Sequence, residues 1–331
     1  MPAYNAEKFI AETIHSILFQ NFKNFELLIY NDASSDNTLN EISKIVDSRI
    51  KVFEGKINMG VSAARNFLLS KAKGDFIAFF DSDDISLKNK FSFCISFLIN
   101  RSEIDLVGSK TYFINDKSKT IRFIKTFESF SSEDIKADLL FNNTFSTSSI
   151  IFKKKILPLI KFDINVSIAE DYLLFSNLSD KIKMANINKK LLKYRVNPNS
   201  LMFKNKNNLK KSLDNIHETL LKSLGINTSP ELIEIHNKFI YSSDLDLIYL
   251  EKNLNLYKNI IQNNHINKVY DNDSLLRSIR KNWFLKCLYC SRSTGKASLT
   301  YYFFRFPYHN FSILKFGLIL ILYNFKKSLK I

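Results

Sequence analysis

Apolar positions along the first eighty residues alternate between two periods. Ile10, Ile14, Ile17 and Leu18 recur at helical spacing, so residues 6–19 read as an amphipathic helix. Phe25 to Tyr30 is a short apolar run, consistent with a buried strand. It ends in the polar stretch Asn31-Asp32-Ala33-Ser34-Ser35-Asp36-Asn37-Thr38, which can cap a following helix. Ile50 to Phe53 predicts a second strand and residues 61–72 a second helix. Phe76 to Phe80 predicts a third strand, running into Asp81-Ser82-Asp83-Asp84. Strands interleaved with helices predict an α/β fold with a largely parallel sheet. Ligands of such sheets sit beyond the carboxyl ends of the strands, where both acidic stretches fall. Residues 104–114 and 147–153 read as further strands, with a helix from Glu133 to Phe141 between them. From about Asn205 the pattern is mostly helical and richer in Lys and Asn. A boundary is therefore expected near residue 204, with an α/β domain over 1–204 and a helical, basic, aromatic-rich region over 205–331.

Composition leaves this outline intact, and charge adds to it. The 331 residues are 45% apolar, enough for a sizeable core, and 7 glycines and 5 prolines are too few for long disordered linkers. The formal net charge of +16 predicts a polyanionic neighbour: a membrane surface, a nucleic acid or a phosphorylated substrate. From residue 276 onward there are 11 Lys and Arg and no Asp or Glu, interleaved with aromatics such as Trp283, Phe284, Tyr301 and Phe316. Basic and aromatic residues together predict a segment that lies on anionic lipid. Single-stranded nucleic acid, bound by stacking and charge, is a less favoured partner. A helical subdomain with a solvated basic face is the plain alternative.

Cys94 stands alone, and Cys287 and Cys290 form one C-x-x-C. The second pair of a zinc ribbon and the setting of a redox motif are both missing, so the thiols read as structural and the compartment as reducing. The opening Met1-Pro2-Ala3-Tyr4-Asn5 has neither the basic nor the long apolar region of a secretion signal. The longest apolar run, Phe316 to Tyr323, is far shorter than the ~20 residues that span a bilayer.

Three constellations carry candidate chemistry. Asp81 and Asp83 point the same way along an extended chain. Two carboxylates converging after a buried strand suit Mg²⁺ or Mn²⁺, which take one or two protein carboxylates and complete their shell with water and phosphate. The same residues could simply form an Asx-rich turn. Asp32, at the end of an earlier strand, could accept hydrogen bonds from a nucleobase or cap a turn. Arg65, on the first turns of the helix opened by Asn58-Met59-Gly60, could reach a base carbonyl or a phosphate, or form a surface ion pair. Glu170 and Asp171 open an apolar helix pattern, where the dipole favours an ionised carboxylate ready to take a proton. Helix capping alone would use the same pair.

Order and spacing together make the chain resemble family 2 glycosyltransferases. The resemblance covers residues 1 to about 202. It is carried by Pro2-Ala3-Tyr4-Asn5-Ala6, Asn31 to Thr38, Asn58 to Asn66, Gly74 to Asp84, Ala169-Glu170-Asp171 and Tyr194-Arg195. It implies a GT-A fold: a Rossmann-like, mixed, mostly parallel sheet flanked by helices, here with a helical C-terminal region. It further implies a nucleotide-sugar donor, UDP-linked by family frequency, and a glycan or lipid-linked acceptor hydroxyl in surface polysaccharide or lipooligosaccharide synthesis. A divalent cation, Mn²⁺ or Mg²⁺, would accompany inverting transfer at the inner face of the cell membrane, by a cytoplasmic, peripheral protein. By the same resemblance Asp32 and Arg65 read the base, with Pro2, Ala3 and Tyr4 lining the nucleotide pocket. Asp81, Ser82 and Asp83 meet the ribose and the metal–diphosphate, Glu170 and Arg195 complete the donor site, and Asp171 is the general base.

Three departures stand out. Asn31-Asp32 replaces a pair of aspartates. Asn197 stands where the family often has a histidine ligand, and its carbonyl oxygen ligates metal more weakly. An apolar strand usually precedes the Pro2-Ala3-Tyr4-Asn5 stretch, and losing a central strand would expose two unpaired backbone ladders, so the start codon is expected upstream. These departures motivate a second reading, a catalytically weakened homologue acting in chain assembly. A basic nucleic-acid-binding module is a third, and it leaves the acidic clusters unexplained.

Overall fold

A computed structural model describes residues 1–121, 129–196, 205–241 and 246–294. Strands β1 (Pro2–Ala3), β2 (Leu27–Asn31) and β3 (Ile50–Glu54) form a parallel sheet in the order β1-β2-β3. Helix α1 (Ile10–Leu18) connects β1 to β2, and α2 (Thr38–Ser43) connects β2 to β3. α1 buries Ile10, Ile14 and Ile17, the apolar stripe expected from its spacing. A second sheet contains β4 (Phe76–Ala78), β5 (Ile85–Ser86), β6 (Leu106–Ile114), β7 (Thr120–Ile121), β8 (Ile151–Lys153) and β9 (Met184–Arg195). Its order is β4-β8-β6-β9-β5, with β7 on β6. β6 and β9 pair in parallel, whereas the other pairs of this sheet are antiparallel. The largely parallel expectation therefore holds for the first sheet, and the second is mixed.

Helix α3 (Val61–Lys71) follows β3, and α4 (Lys90–Asn100) follows β5. Helix α5 (Ser132–Leu139) starts where Ser131 Oγ accepts the amide of Asp134. Helix α6 (Glu170–Leu178) brings the expected acidic pair to its first turn. The strand expected over 147–153 is shorter: Thr147–Ser149 form a 3₁₀ turn and only Ile151–Lys153 pair. The hydroxyl of Ser149 donates to Ser146 O (2.7 Å), a local bond that competes with a sheet ladder.

The helical region comprises α7 (Lys206–Ser223), α8 (Pro230–Tyr241), α9 (Leu247–Asn267) and α10 (Asn272–Thr294). The boundary expected near residue 204 falls within 197–204, outside the described residues, as does Asn197. The helices share a core with the end of α5: Trp283, Tyr257, Ile260 and Leu250 cluster with Leu140 and Phe141. The two regions are also stapled by charge. Arg277 pairs with Asp134 (2.7 Å) and Lys281 with Asp138 (2.5 Å). Lys286, buried, donates to Asn253 Oδ1 (2.6 Å). Much of 276–287 thus packs into the core of the helical region, with Arg277 exposed at its edge, and this stretch is not the interfacial segment expected from 276 onward. Trp283, Arg277, Lys281 and Lys286 find partners on α5 and α9 that composition could not reveal. Residues 295–331 lie outside the described residues. Cys94 and Cys287 are both buried. No helix among the described residues is long and apolar enough to cross a membrane.

A groove of about 540 Å³ separates the two sheets, lined among others by Ile17, Leu27, Leu28, Leu69, Ile77 and Phe80. On one side β2 is paired with β1 only at Tyr30 and Asn31. On the other, β4 is an edge strand, paired to β8 alone. The amine of Met1 stands at the end of the groove and donates to Leu28 O (2.8 Å), continuing the β1–β2 ladder. Burial first, and then the nearby Arg65, push that amine down to about 5. The apolar side chains that line it from both sheets are of the kind that cover a doubly buried parallel strand. Five apolar residues fused ahead of Met1 are expected to fill it and raise the melting temperature. The rise should be roughly 5 °C or more, since 1 kcal/mol is worth about 2–4 °C in a domain of this size. Hydrogen exchange at Leu27–Leu28 and Phe76–Ala78 should slow in parallel. An unchanged melting temperature and unchanged exchange would show that the groove is not a strand slot.

Candidate active site

Asp81-Ser82-Asp83-Asp84 leave the buried Phe79 and Phe80 and turn back into β5. The loop is held from several sides. The Asp81 amide donates to Ser148 Oγ (2.9 Å), and Thr13 Oγ1 donates to Ser82 O (3.0 Å). Arg195 Nε donates to Asp83 O (2.8 Å), and the Arg195 amide donates to Asp84 Oδ1 (2.9 Å). Asp84 is fully buried, and burial, then Asp83 and Asp81, push its carboxyl well up. Asp81 and Asp83 are only partly buried. Burial, then the charge of Asp81, push Asp83 up to about 6. Two crowded carboxylates with this shift favour a positive charge between them.

Arg65, on α3, is 5% exposed and lies at the centre of the site. It pairs with Asp81 (2.6 Å) and Glu170 (2.5 Å), and its guanidinium sits 5.1 Å from the centroid of Phe162. It is not a surface ion pair. Burial works against its charge, but Asp81, Glu170 and Asp171 outweigh burial and keep it protonated. Glu170 is correspondingly tied up, and its carboxyl is pushed up by burial against the pull of Arg65.

Asp171 is held differently. Thr147 Oγ1 donates to its Oδ2 at 2.7 Å and Asn143 Nδ2 to the same oxygen at 3.1 Å. Oδ1 accepts the Tyr172 amide (2.7 Å). These donors are neutral, so they orient the carboxylate without cancelling its charge. Ala169, just before the pair, has φ 63°, a left-handed backbone that costs a non-glycine residue about 1–3 kcal/mol and aims the first turn of α6.

The other expected residues fall into two groups. Pro2, Ala3 and the half-exposed Tyr4 run beside Asp32, whose amide donates to Ala3 O (2.9 Å). The Asp32 carboxylate accepts the amides of Met59 (2.8 Å) and Gly60 (2.9 Å), which fixes the loop ahead of α3. Gly60 has φ 85°, a conformation that favours glycine at this helix entry. The Asn31 side chain accepts a long contact from the Ser34 amide (3.4 Å), and its carbonyl accepts the Gly55 amide (2.9 Å). Arg195, 2% exposed, spends its guanidinium on the protein itself: besides Asp83 O it pairs with Glu12 (2.8 Å) and donates to Asn115 O (2.8 Å). It acts as a brace under the Asp81–Asp84 loop.

Thr147, Ser148, Asn143 and Glu12 have no part in the sequence reading. The available signal was the Ser/Thr richness of 144–149, unusual for a strand. Among the described residues no group of three or more His, Cys, Asp or Glu could hold a metal by itself. Asp81 and Asp83 still fit a hard cation that takes two carboxylates and draws its remaining ligands from water and phosphate.

The chain and its fold have relatives among known proteins. A family described as Glycosyl transferase family 2 matches residues 1–158. WfaP of Escherichia coli, a UDP-Glc:alpha-D-GlcNAc-diphosphoundecaprenol beta-1,3-glucosyltransferase, is 33% identical over 232 residues, 70% of this chain and 87% of that protein. WfgD of the same organism, with the same activity in its name, is 41% identical over 124 residues, 38% of this chain, and the match spans about half (49%) of its own length. Among solved structures, Staphylococcus aureus TarS 1–349 in complex with UDP-GlcNAc superposes with a TM-score of 0.57 at 18% identity, covering 89% of this chain and 90% of that one. The mannosyltransferase PcManGT from Pyrobaculum calidifontis, in complex with GDP-Man and Mn²⁺, gives 0.54 at 14% identity, covering 91% and 84%. The shared architecture is the GT-A fold.

Replacing Asp83 by Asn is expected to weaken Mn²⁺ binding at least about tenfold, while the melting temperature stays within a degree or two, because the side chain is only partly buried and its backbone bonds remain. Isothermal titration of wild type and variant decides it; equal affinities would remove Asp83 from the cation site.

Proposed function

The chain belongs to glycosyl transferase family 2, and we propose on that premise that it transfers a sugar from a UDP-linked donor to a hydroxyl of a lipid-linked glycan, inverting the anomeric carbon. The observation that carries this reading is the pairing of Asp81 and Glu170 with one buried arginine, with Asp171 beside them held by neutral donors. That arrangement joins a diphosphate-facing loop to a carboxylate free to take a proton. The names of WfaP and WfgD support a UDP-sugar donor and a diphosphoundecaprenol-linked acceptor in surface-glycan assembly.

The nucleotide lies along Pro2–Tyr4, with Asp32 and Arg65 on its base side and Ser82 near the ribose. Asp81 and Asp83 would hold a divalent cation, Mn²⁺ or Mg²⁺, which would supply charge neutralisation for the diphosphate. Arg195 keeps the loop backbone in place. Asp171 accepts the proton of the acceptor hydroxyl. The freed oxygen forms a bond to the anomeric carbon on the face opposite the nucleotide, and the bond to the phosphate oxygen breaks, its electron pair leaving with UDP. One displacement with one base inverts the configuration. Glu170 is unsuited to the proton transfer because its carboxylate is committed to Arg65.

The acceptor class calls for a membrane site. Residues 295–331 hold six Lys and Arg and no Asp or Glu, with aromatics throughout, a composition that favours anionic lipid. The protein is thereby peripheral on the inner face of the cell membrane.

Two outcomes are expected. With UDP-glucose as donor and a GlcNAc-diphospholipid as acceptor, Asp171→Asn should lower UDP release by about 10²–10⁴-fold, the usual contribution of a general base. UDP affinity should be unchanged. Near-normal transfer by this variant, with Glu170→Gln inactive, would reverse the two roles. Separately, a chain ending at Thr294 should lose binding to vesicles containing anionic lipid yet keep UDP affinity. The cut spares Trp283 and Lys286, which are core residues. Equal vesicle binding by both forms would rule out the tail as the anchor.

A further inference from the structure

The two arms of the site, the Asp81–Asp84 loop and Asp171, come from distant parts of the chain. One short segment touches both. Thr147 and Ser148 are adjacent, and both are buried in the 3₁₀ turn Thr147–Ser149. Their side chains serve opposite arms. Thr147 Oγ1 donates to Asp171 Oδ2 (2.7 Å), while Ser148 Oγ accepts the Asp81 amide (2.9 Å).

The turn is itself anchored. Lys90, fully buried on α4, donates to Ser148 O and lies 3.9 Å from the centroid of Phe80. Ser149 N and Oγ both bond to Ser146 O (2.7 Å each). Ile150 O accepts the Phe79 amide at 3.3 Å, fastening the far end of the turn to the strand that leads into the loop. The carboxylate and the loop are therefore referenced to one rigid piece of backbone.

We infer that Thr147 and Ser148 are positioning residues that set the base and the diphosphate loop at a fixed separation, Thr147 serving the acceptor side and Ser148 the donor side. The inference rests on the reading of Asp171 as base. The chemistry suits the division. A hydroxyl donor orients a carboxylate while leaving its charge for proton transfer, which an arginine in the same place would not. A hydroxyl that accepts the Asp81 amide and also meets the buried Asp84 carboxyl fixes the loop's direction and leaves the outward-facing Asp81 and Asp83 carboxylates to the donor side. Misplacement of a reacting group by about 1 Å costs on the order of 10²-fold in rate.

The test uses the full chain with Thr147→Val, Thr147→Ser, Ser148→Ala and Asp171→Asn, assayed with UDP-glucose and the GlcNAc-diphospholipid, alongside UDP affinity and melting temperature. Thr147→Val, near-isosteric but without the hydroxyl, should lower kcat about 10²-fold with donor KM and UDP affinity unchanged. Thr147→Ser, which restores the hydroxyl and drops the methyl, should recover to within a few-fold of wild type. Ser148→Ala should raise donor KM and weaken UDP binding about tenfold with the smaller effect on kcat. A Thr147→Val enzyme at the wild-type rate beside an inactive Asp171→Asn overturns the role of the turn alone. Thr147→Ser as slow as Thr147→Val makes the methyl's packing responsible and overturns it too. Parallel losses in kcat and donor KM for both Thr147→Val and Ser148→Ala reduce the turn to general structure. An Asp171→Asn enzyme as active as wild type overturns the base assignment and, with it, this inference.

Discussion

A buried arginine is the constraint around which this molecule is arranged. Arg65 is nearly inaccessible, so its charge is tolerable only with anionic partners in good geometry. It finds two, Asp81 after β4 and Glu170 at the start of α6, 16 and 105 residues away in the chain. Three elements that share no local sequence are thereby drawn to one point. Removing the arginine from such a set leaves the buried Glu170 uncompensated, and breaking a buried pair in this way typically costs about 3–5 kcal/mol. The same requirement sorts the neighbouring carboxylates. Those that face Arg65 are structural partners as well as site residues. Asp171, one residue beyond Glu170, turns away to neutral donors and keeps its charge available.

The backbone contributes in the same place. Ala33 and Ala169 both adopt left-handed backbone, φ 55° and 63°, immediately next to Asp32 and Glu170. Neither is glycine, so each position carries strain that surrounding contacts must hold. The contacts are visible: Asp32 binds two amides of the Met59–Gly60 loop, and Glu170 binds Arg65. Strain and charge pairing together fix side chains that would otherwise wander at the tips of turns.

The helical region is more than an appendage. Its α7 contributes Leu213 and Ile216 to the core beneath the second sheet. Tyr172, directly after Asp171, donates its hydroxyl to Leu139 O (2.6 Å) and meets His217 Nε2 at 2.8 Å. His217 stacks edge-on against His236 of α8, 4.8 Å between ring centroids. Burial holds both imidazoles below their usual range, His217 at about 4, so the pair stays neutral and acts as packing. The first turn of α6 is thus clamped between the arginine on one side and the C-terminal helices on the other.

Periodicity and local chemistry were legible from residues alone. Apolar runs placed β2, β3 and β4, the stripe Ile10-Ile14-Ile17 placed α1, and the acidic stretches at strand ends pointed to the candidate site, because each of these depends on neighbours a few positions away. The order of the motifs was enough to indicate the family and its fold. Other features needed the chain to close on itself. Residues 147–149 read as strand, but their hydroxyls bond locally and to distant partners, which makes them a turn. Arg195 read as a donor-binding residue, yet burial against Glu12, Asn115 and the Asp83 carbonyl makes it a brace. Trp283, Lys281 and Lys286 read as part of a basic, aromatic surface, but α5 and α9 supply the acids, amides and rings that bury them. In each case the side chain's role depends on a group more than twenty residues away. No local pattern carries that information, so only the tertiary structure could decide it.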